Sequence, residues 1–327
     1  DPDLPETQVF DLNVGGTGAG QPASYFFPYK AEEGRDPFWD VPGLEGGEEG
    51  EYLTDRLTDE ALSFMDSRAD EPFHLYLSHF AVHTPIQAKA GLEERYVARR
   101  DSLAWASENA RETEQERAHT RLVQNDPVYA AMVQSVDESL GRLLQGLEER
   151  GLAENTVVIF MSDNGGLSTL AGDRVGPTTN HPLRAGKGWL YEGGIRTPMI
   201  IRWPGRVSPG GESSVPVQSI DFFPTMVEMA GAASAGITGN DGDMAGVGTR
   251  ESVENRNRVQ DATLDGLSLV PVLTGEGSLS RDALFWHFPH YHGSGNRPSA
   301  AVRMGRWKLV EWFEDGAVEL YDLEEDP

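Results

Sequence analysis

The chain has 327 residues, 38% of them hydrophobic, enough to bury the core of one large domain and a small one. Its formal charge of −26, from 27 Lys and Arg against 53 Asp and Glu, excludes nucleic acid and anionic membranes as partners of the surface as a whole. It has no cysteine, which excludes disulfides, thiolate metal sites and a cysteine nucleophile among these residues.

No window approaches the roughly 18 consecutive apolar residues of a membrane span, so none is predicted. The acidic, proline-containing start has neither the basic residues nor the apolar core of a signal peptide. Residues 1–50 are rich in Gly, Pro and acids, and the islands Tyr25-Phe26-Phe27-Pro28-Tyr29 and Phe38-Trp39 predict ordered loop pinned by aromatics. Leu53, Leu57, Ala61 and Phe64 stack at helical spacing and predict a first amphipathic helix, capped by Thr54 or Asp55. After Pro72, the partial alternation from Phe73 to His79, bounded by His83-Thr84-Pro85, predicts a core strand. The charged stretch 91–121 reads as weakly patterned helix.

Asp126-Pro127 combines a capping carboxylate with a first-turn proline. It opens a helix with Tyr129, Met132, Val133, Val136, Leu140, Leu143, Leu144 and Leu147 on one face, ended by Gly151. The apolar run from Thr156 to Met161 then predicts a strand buried on both faces, which delivers Asp163 and Asn164 at its C-terminal end. That is where open α/β sheets bind ligands. Strand, helix and strand in this order make a right-handed crossover, so His83 and Asp163-Asn164 are expected at one sheet edge. Gly165 to Leu190 is a long Gly-, Thr- and Pro-rich loop bearing Arg184 and Lys187, and loops of such length are usually functional. Thr197 to Trp203 predicts another core strand, and Asp221 to Ala230 a short helix with Pro224 in its first turn.

Residues 231–262 are polar and Gly-rich and read as a mobile insertion. Four short β runs follow at 283–288, 300–304, 307–312 and 318–321, with hairpin signals at Gly305-Arg306 and Asp315-Gly316. The expected organisation is α/β: residues 1–280 belong to a main domain, a sheet flanked by helices, and 281–327 to a small C-terminal antiparallel subdomain. Trp286 to His292 sets histidines and aromatics beside the flexible turn 293–296; aromatic faces suit a sugar ring, although the plainer reading makes Trp286 and Phe288 core.

Four residues carry candidate chemistry. Asp163 and Asn164 offer only oxygen, which suits a hard cation, Ca²⁺ or Mg²⁺. His83 and Lys187 add protonatable or cationic groups. Singly each has a plainer explanation, as a turn, a structural histidine or a solvated loop charge. Together they suit hydrolysis of a tetrahedral anionic ester, with metal and cations neutralising charge and His83 or Lys187 protonating the leaving oxygen.

Three runs, Leu75 to Pro85 (LYLSHFAVHTP), Val158 to Gly166 (VIFMSDNGG) and Leu183 to Pro198 (LRAGKGWLYEGGIRTP), resemble the type I, formylglycine-dependent sulfatases of the alkaline phosphatase superfamily in motif, order and spacing. The resemblance implies that Asp163 and Asn164 are one pair of calcium ligands. It implies that His83 meets the sulfate ester near its bridging oxygen, and that Lys187 binds a sulfate oxygen and assists leaving-group protonation. Tyr191, Glu192, Gly193 and Gly194 read as scaffold of the Lys187 motif, and Arg184 and Arg196 as structural ion pairs.

The resemblance also implies parts that this sequence lacks: a Cys- or Ser-x-Pro-x-Arg motif that becomes formylglycine, an early Asp-Asp pair and a Lys-x-His. The expectation is therefore an N-terminally truncated fragment, inactive alone, with formylglycine in the missing N-terminal part. The intact parent is expected to hydrolyse sulfate esters, on a sulfated small molecule or carbohydrate, in the periplasm or outside the cell. Two other readings stay open, a phosphonate or phosphodiester hydrolase of the same superfamily and a non-catalytic anion-binding relative.

Overall fold

The computed structural model describes residues 4–8, 10–103, 110–231 and 264–325. Residues 232–262 of the expected insertion lie outside them. The chain divides into two compact units, the first made of residues 1–156, 160–200 and 285–327, the second of 157–159 and 201–284.

In the first unit, helix α1 (Leu53–Ser67) buries Leu53, Leu57 and Ala61 of the expected face, but its last buried apolar residue is Met65, with the expected Phe64 only half-buried. The expected cap is absent: Tyr52 holds the N-cap position without a side-chain bond. Thr54 is buried instead, and Asp55 is drawn off by Lys89 at 3.0 Å. Helix α2 (Ala90–Asp101) follows. Helix α3 (Pro127–Glu149) begins as expected, with the Asp126 carboxylate accepting from the amides of Val128 and Tyr129 at 3.0 Å each. Gly151, at φ +66°, lies just past its end. Of the expected apolar face, Met132 and Leu147 are buried but Val133 is exposed. Helix α3 meets α1 through the hydroxyls of Thr58 and Ser139, 2.6 Å apart, and His79 Nε2 lies 2.9 Å from the same Ser139 hydroxyl. Burial pushes the His79 pKa down to about 4, so this histidine is a neutral packing element.

The aromatic island behaves as its composition suggested. Tyr25 and Tyr29 are fully buried in a core with Val41, Leu44, Tyr52, Leu53 and Leu57. The Tyr25 and Tyr52 hydroxyls are spent on the chain that follows α1, Tyr25 donating to the His83 carbonyl at 2.9 Å and Tyr52 to that of Gln87 at 2.8 Å, while the Tyr29 hydroxyl donates to the Glu51 carboxylate.

Two expectations fail here. Residues 73–79 keep the alternation, with Leu75, Leu77 and His79 half-buried between exposed His74, Tyr76 and Ser78, but form no strand. Among the described residues no neighbour supplies a ladder of hydrogen bonds, so the expected crossover is not formed. Of the described residues in the stretch 91–121, only those of α2 are helical; strands β1 (Arg111–Glu114) and β2 (Ala118–Arg121) form an antiparallel hairpin, Glu114 opposite Ala118. Its turn puts Gln115 and Glu116 at φ +50° and +60°, a conformation that Asn or Gly would have announced.

Strands β3 (Val158–Met161) and β5 (Met199–Arg202) pair in a two-stranded sheet. Neither is buried on both faces: Met161 is exposed, as is Ile200. Strand β4 (Thr169–Ala171) lies within the long loop and pairs with β2, Ala118 opposite Ala171. Helix α4 (Glu192–Ile195) closes that loop.

Strands β6 (Leu284–Phe288), β7 (Ser299–Met304), β8 (Trp307–Trp312) and β9 (Val318–Asp322) form a four-stranded sheet in that order, β7–β8 and β8–β9 antiparallel. The small C-terminal sheet and the hairpin at Gly305-Arg306 are as the sequence predicts. The inward face of β8 is Lys308, Val310 and Trp312, and Val310 and Trp312 pack with Ala118, Ala185, Trp189, Leu190, Tyr191 and Ala301.

The second unit contains helices α5 (Phe222–Met229) and α6 (Val270–Thr274). Asp221, fully buried, is gripped by both terminal nitrogens of Arg281 and accepts from the amides of Gln218 (2.8 Å) and Leu267 (2.9 Å). Burial raises its pKa, but the guanidinium and the two amides outweigh it and hold the carboxyl below the usual range. No helix among the described residues is long and apolar enough to cross a membrane.

Candidate functional site

The turn after β3 and the loop bearing Lys187 are sewn together through backbone. Gly166 is the knot: its carbonyl accepts from the Lys187 amide (3.1 Å) and from Asn180 Nδ2 (2.8 Å), and its amide donates to Asn180 Oδ1 (3.0 Å). Asn180 Nδ2 also reaches the Ala185 carbonyl at 3.0 Å, so one carboxamide spans turn and loop. Gly165 donates to the Gly194 carbonyl at 2.9 Å, and a Cβ on Gly165 would lie 1.8 Å from the Gly193 carbonyl oxygen. Only glycine permits that approach.

The charged residues buried or half-buried around Lys187 are already paired, whereas Arg196, expected as an ion pair, is exposed and its guanidinium engages no partner among the described residues. Arg184 Nε donates to the buried Glu114 at 3.0 Å, its Nη1 to the Tyr321 hydroxyl at 2.7 Å, and its guanidinium lies 4.0 Å from the Tyr191 ring centroid. Burial raises the Glu114 pKa, and Arg184 opposes the rise. Glu192, expected as scaffold, is buried and accepts from Lys308 Nζ at 2.8 Å. Lys187 is the exception: it is half-buried, and no hydrogen bond or ion pair engages its ammonium among the described residues. Among the described residues the carboxylate of exposed Asp163 and the carboxamide of half-buried Asn164 also engage no partner, although the Asn164 carbonyl accepts from the Ser162 hydroxyl at 2.8 Å.

His83 is held separately. Its amide donates to the Phe80 carbonyl at 2.8 Å, and Nδ1 lies 3.1 Å from the Thr84 carbonyl oxygen. A carbonyl only accepts, so Nδ1 carries the proton in the neutral ring and Nε2 presents its lone pair. The backbone thus ties the turn that follows Asp163 and Asn164 to the Lys187 loop at Gly165 and Gly166, while no hydrogen bond joins His83 to either.

Asp163 and Asn164 are the residues that could hold a cation. Their donor chemistry fits Ca²⁺ or Mg²⁺, but two side chains do not fill a shell of six to eight oxygens. Among the described residues no group of three or more His, Cys, Asp or Glu is gathered as a metal site. A concavity on α2 lined by Glu93, Glu94 and Asp101 contains none of the four candidates, and its carboxylates disfavour an anion.

The sequence reading missed Asn180, Lys308 and the placement of His292 against Gly188. Asn180 follows two threonines in a polar loop and carries no signal. Lys308 carries one, since it occupies an inward position in an otherwise alternating strand.

Comparison with known proteins gives a consistent result. The family model described as Sulfatase matches residues 10–232, and that described as N-sulphoglucosamine sulphohydrolase, C-terminal, matches 252–327. A sulfatase of Formosa agariphila is 34% identical over 293 residues, 84% of this chain and 44% of the relative. The crystal structure of Ps i-CgsB superposes with a TM-score of 0.69 at 28% identity, covering 99% of this chain and 62% of that one. The same protein in complex with k-i-k-neocarrahexaose gives a TM-score of 0.66 at 27% identity, with the same 99% and 62% coverage. The chain thus spans about half the length of the relatives that it matches.

Proposed function

We propose, because this chain belongs to the sulfatase family, that it carries part of a site that hydrolyses sulfate esters of carbohydrates. The observation that supports the assignment of residues is that, among the described residues, the Lys187 ammonium is unpaired, as are the side chains of Asp163 and Asn164, whereas the partly or fully buried charges Arg184 and Glu192 of the same loop are matched. In this reading Lys187 binds a sulfate oxygen and delivers a proton toward the leaving oxygen. His83, once protonated on Nε2, donates to the bridging oxygen. A carbohydrate substrate is supported by the C-terminal family match, named for a sulphated glucosamine, and by the oligosaccharide bound to Ps i-CgsB. A periplasmic or extracellular location is part of the proposal and rests on family likeness alone.

Asp163 and Asn164 would hold the cation, Ca²⁺ in the first instance, and such a cation would supply charge neutralisation on the sulfate. The remaining oxygens of its shell come from elsewhere. Replacing Asp163 by Ala in the full-length protein is expected to remove the rise in Tm on adding calcium, a rise worth about 2.7 kcal/mol at a hundredfold excess over Kd. A normal calcium-dependent rise in that variant contradicts the assignment of Asp163. The attacking formylglycine has no precursor here, as neither Cys nor Ser-x-Pro-x-Arg occurs in the 327 residues. The chemistry assigned to this chain is therefore binding, charge neutralisation and proton delivery.

The reaction class is tested by kcat/KM of the full-length protein on an aryl sulfate and on the matching aryl phosphonate monoester. The sulfate is expected to be the better substrate. Preference for the phosphonate, or turnover of neither, overturns the proposal.

A further inference from the structure

Beside Lys187 lies a histidine to which the reading above gives no role. His292 sits in the turn between β6 and β7, and Gly188, at φ +84°, presents bare backbone to its ring. A Cβ at Gly188 would lie 2.3 Å from His292 Nδ1. The turn is fastened on several sides. His292 donates its amide to the Asn296 carbonyl (3.1 Å), Ala171 donates to that of Gly293 (3.3 Å), and Trp189 Nε1 donates to that of Ser294 (3.3 Å).

The ring has a defined tautomer. The Ser294 amide donates to Nδ1 at 3.2 Å, and the Ser294 hydroxyl lies 2.9 Å from the same nitrogen. A nitrogen that accepts from a backbone amide carries no proton, so the neutral ring is protonated on Nε2. Burial, and then the charge of Lys187, push the His292 pKa below its usual value and keep the ring neutral. Among the described residues no hydrogen bond takes up Nε2–H. The result is an oriented, uncharged donor next to an unpaired cation.

We propose that His292 is a specificity-determining residue, whose Nε2–H donates to an uncharged oxygen, a hydroxyl or ether, on the alcohol half of a sulfate ester whose sulfate is held by Lys187. This rests on the sulfatase reading. The division of labour follows from charge: the ammonium matches the anionic sulfate, and a neutral N–H matches a neutral acceptor without the desolvation cost of a second cation.

The test measures KM and kcat of the full-length protein, its His292→Ala and its His292→Gln on two substrates. One is 4-nitrophenyl sulfate, which has no hydroxyl beside the ester; the other is the best-turned-over member of a panel of galactose and N-acetylglucosamine sulfates. His292→Ala is expected to raise KM for the sugar sulfate by about 2- to 10-fold, the value of one neutral hydrogen bond, and to leave the aryl sulfate unchanged. His292→Gln, which restores an N–H donor, is expected to recover part of the loss. Parallel losses on both substrates in both variants, or no loss on the sugar, overturn the proposal. Failure of the unaltered protein on 4-nitrophenyl sulfate and on every sugar sulfate sinks the sulfatase reading itself. Turnover of the aryl sulfate but of no sugar sulfate leaves that reading standing and removes this one.

Discussion

Replacing Lys187 by Ala in the full-length protein is expected to lower kcat/KM for a sulfate ester by about 10²- to 10³-fold, the usual loss on removing one group that stabilises charge in the transition state. Stability is expected to stay within about 0.5 kcal/mol, as for a substitution away from structural contacts. The two expectations belong together. The Lys187 backbone does the holding, through its amide on Gly166 at 3.1 Å, and alanine keeps that bond. The ammonium engages no partner among the described residues. A side chain kept half-buried, charged and unpaired serves a ligand, since burial of charge without a partner costs stability. Initial rates and thermal melts on one preparation separate the two effects. A melting loss as large as the activity loss makes Lys187 a structural residue.

Replacing Lys308 by Met has the opposite signature. Lys308 and Glu192 pair at 2.8 Å with side chains only 1% and 5% exposed, so removing the lysine strands a carboxylate in the core. Breaking a buried pair from one side costs about 3–5 kcal/mol. At about 2–4 °C per kcal/mol for domains of 150–250 residues, Tm is expected to fall by roughly 6–20 °C. Burial lowers the Lys308 pKa and Glu192 opposes the shift, which fits a pair that is stable only as a pair. The double variant Lys308→Met with Glu192→Gln is expected to recover much of the loss, because the stranded charge is gone. Arg68→Ala is the contrast, since its pair with Glu71 is 45% and 65% exposed and worth about 0–1 kcal/mol. A Lys308→Met melt within 2 °C of the parent contradicts the account of this pair.

The Glu192–Lys308 pair also joins site to scaffold. Glu192 opens α4, whose glycines receive the Gly165 turn, and Lys308 lies on β8 of the C-terminal sheet. Trp189, Tyr191 and Trp312 surround this junction, with ring centroids 5.8–6.3 Å apart. The Lys187 loop is thus held by the turn after β3 on one side and by the C-terminal sheet on the other.

Some of this was legible in the sequence because local chemistry and tertiary outcome agree. Asp126-Pro127 starts a helix wherever it stands, and a Gly-Arg between two apolar runs turns a hairpin. The stretch Gly165 to Leu190 could be read as one long loop from its Gly, Thr and Pro content, and Leu183 to Pro198 stood out by its family resemblance. Other parts were hidden by physics that is not local. Residues 73–79 have the alternation of a strand, but a strand also needs a neighbour. The hairpin 111–121 is written in Glu, Gln, Arg and Ala, residues that favour helix, and its turn uses Gln115 and Glu116 where Asn-Gly would have been the signal. The inward position of Lys308 is legible from the alternation of β8, but its partner Glu192, 116 positions away, is not.

The most direct test of the central claim is the dependence of the Lys187→Ala defect on the leaving group. If Lys187 both binds the sulfate and delivers a proton to the departing oxygen, its loss costs more when that oxygen belongs to a sugar or alkyl alcohol than when it belongs to 4-nitrophenol, which leaves readily as the anion. The ratio of kcat/KM, parent over variant, is therefore expected to be larger for an alkyl or sugar sulfate than for 4-nitrophenyl sulfate, with both ratios above about 10². Equal ratios would restrict Lys187 to binding. A ratio near one on both substrates would remove it from the site and contradict the account.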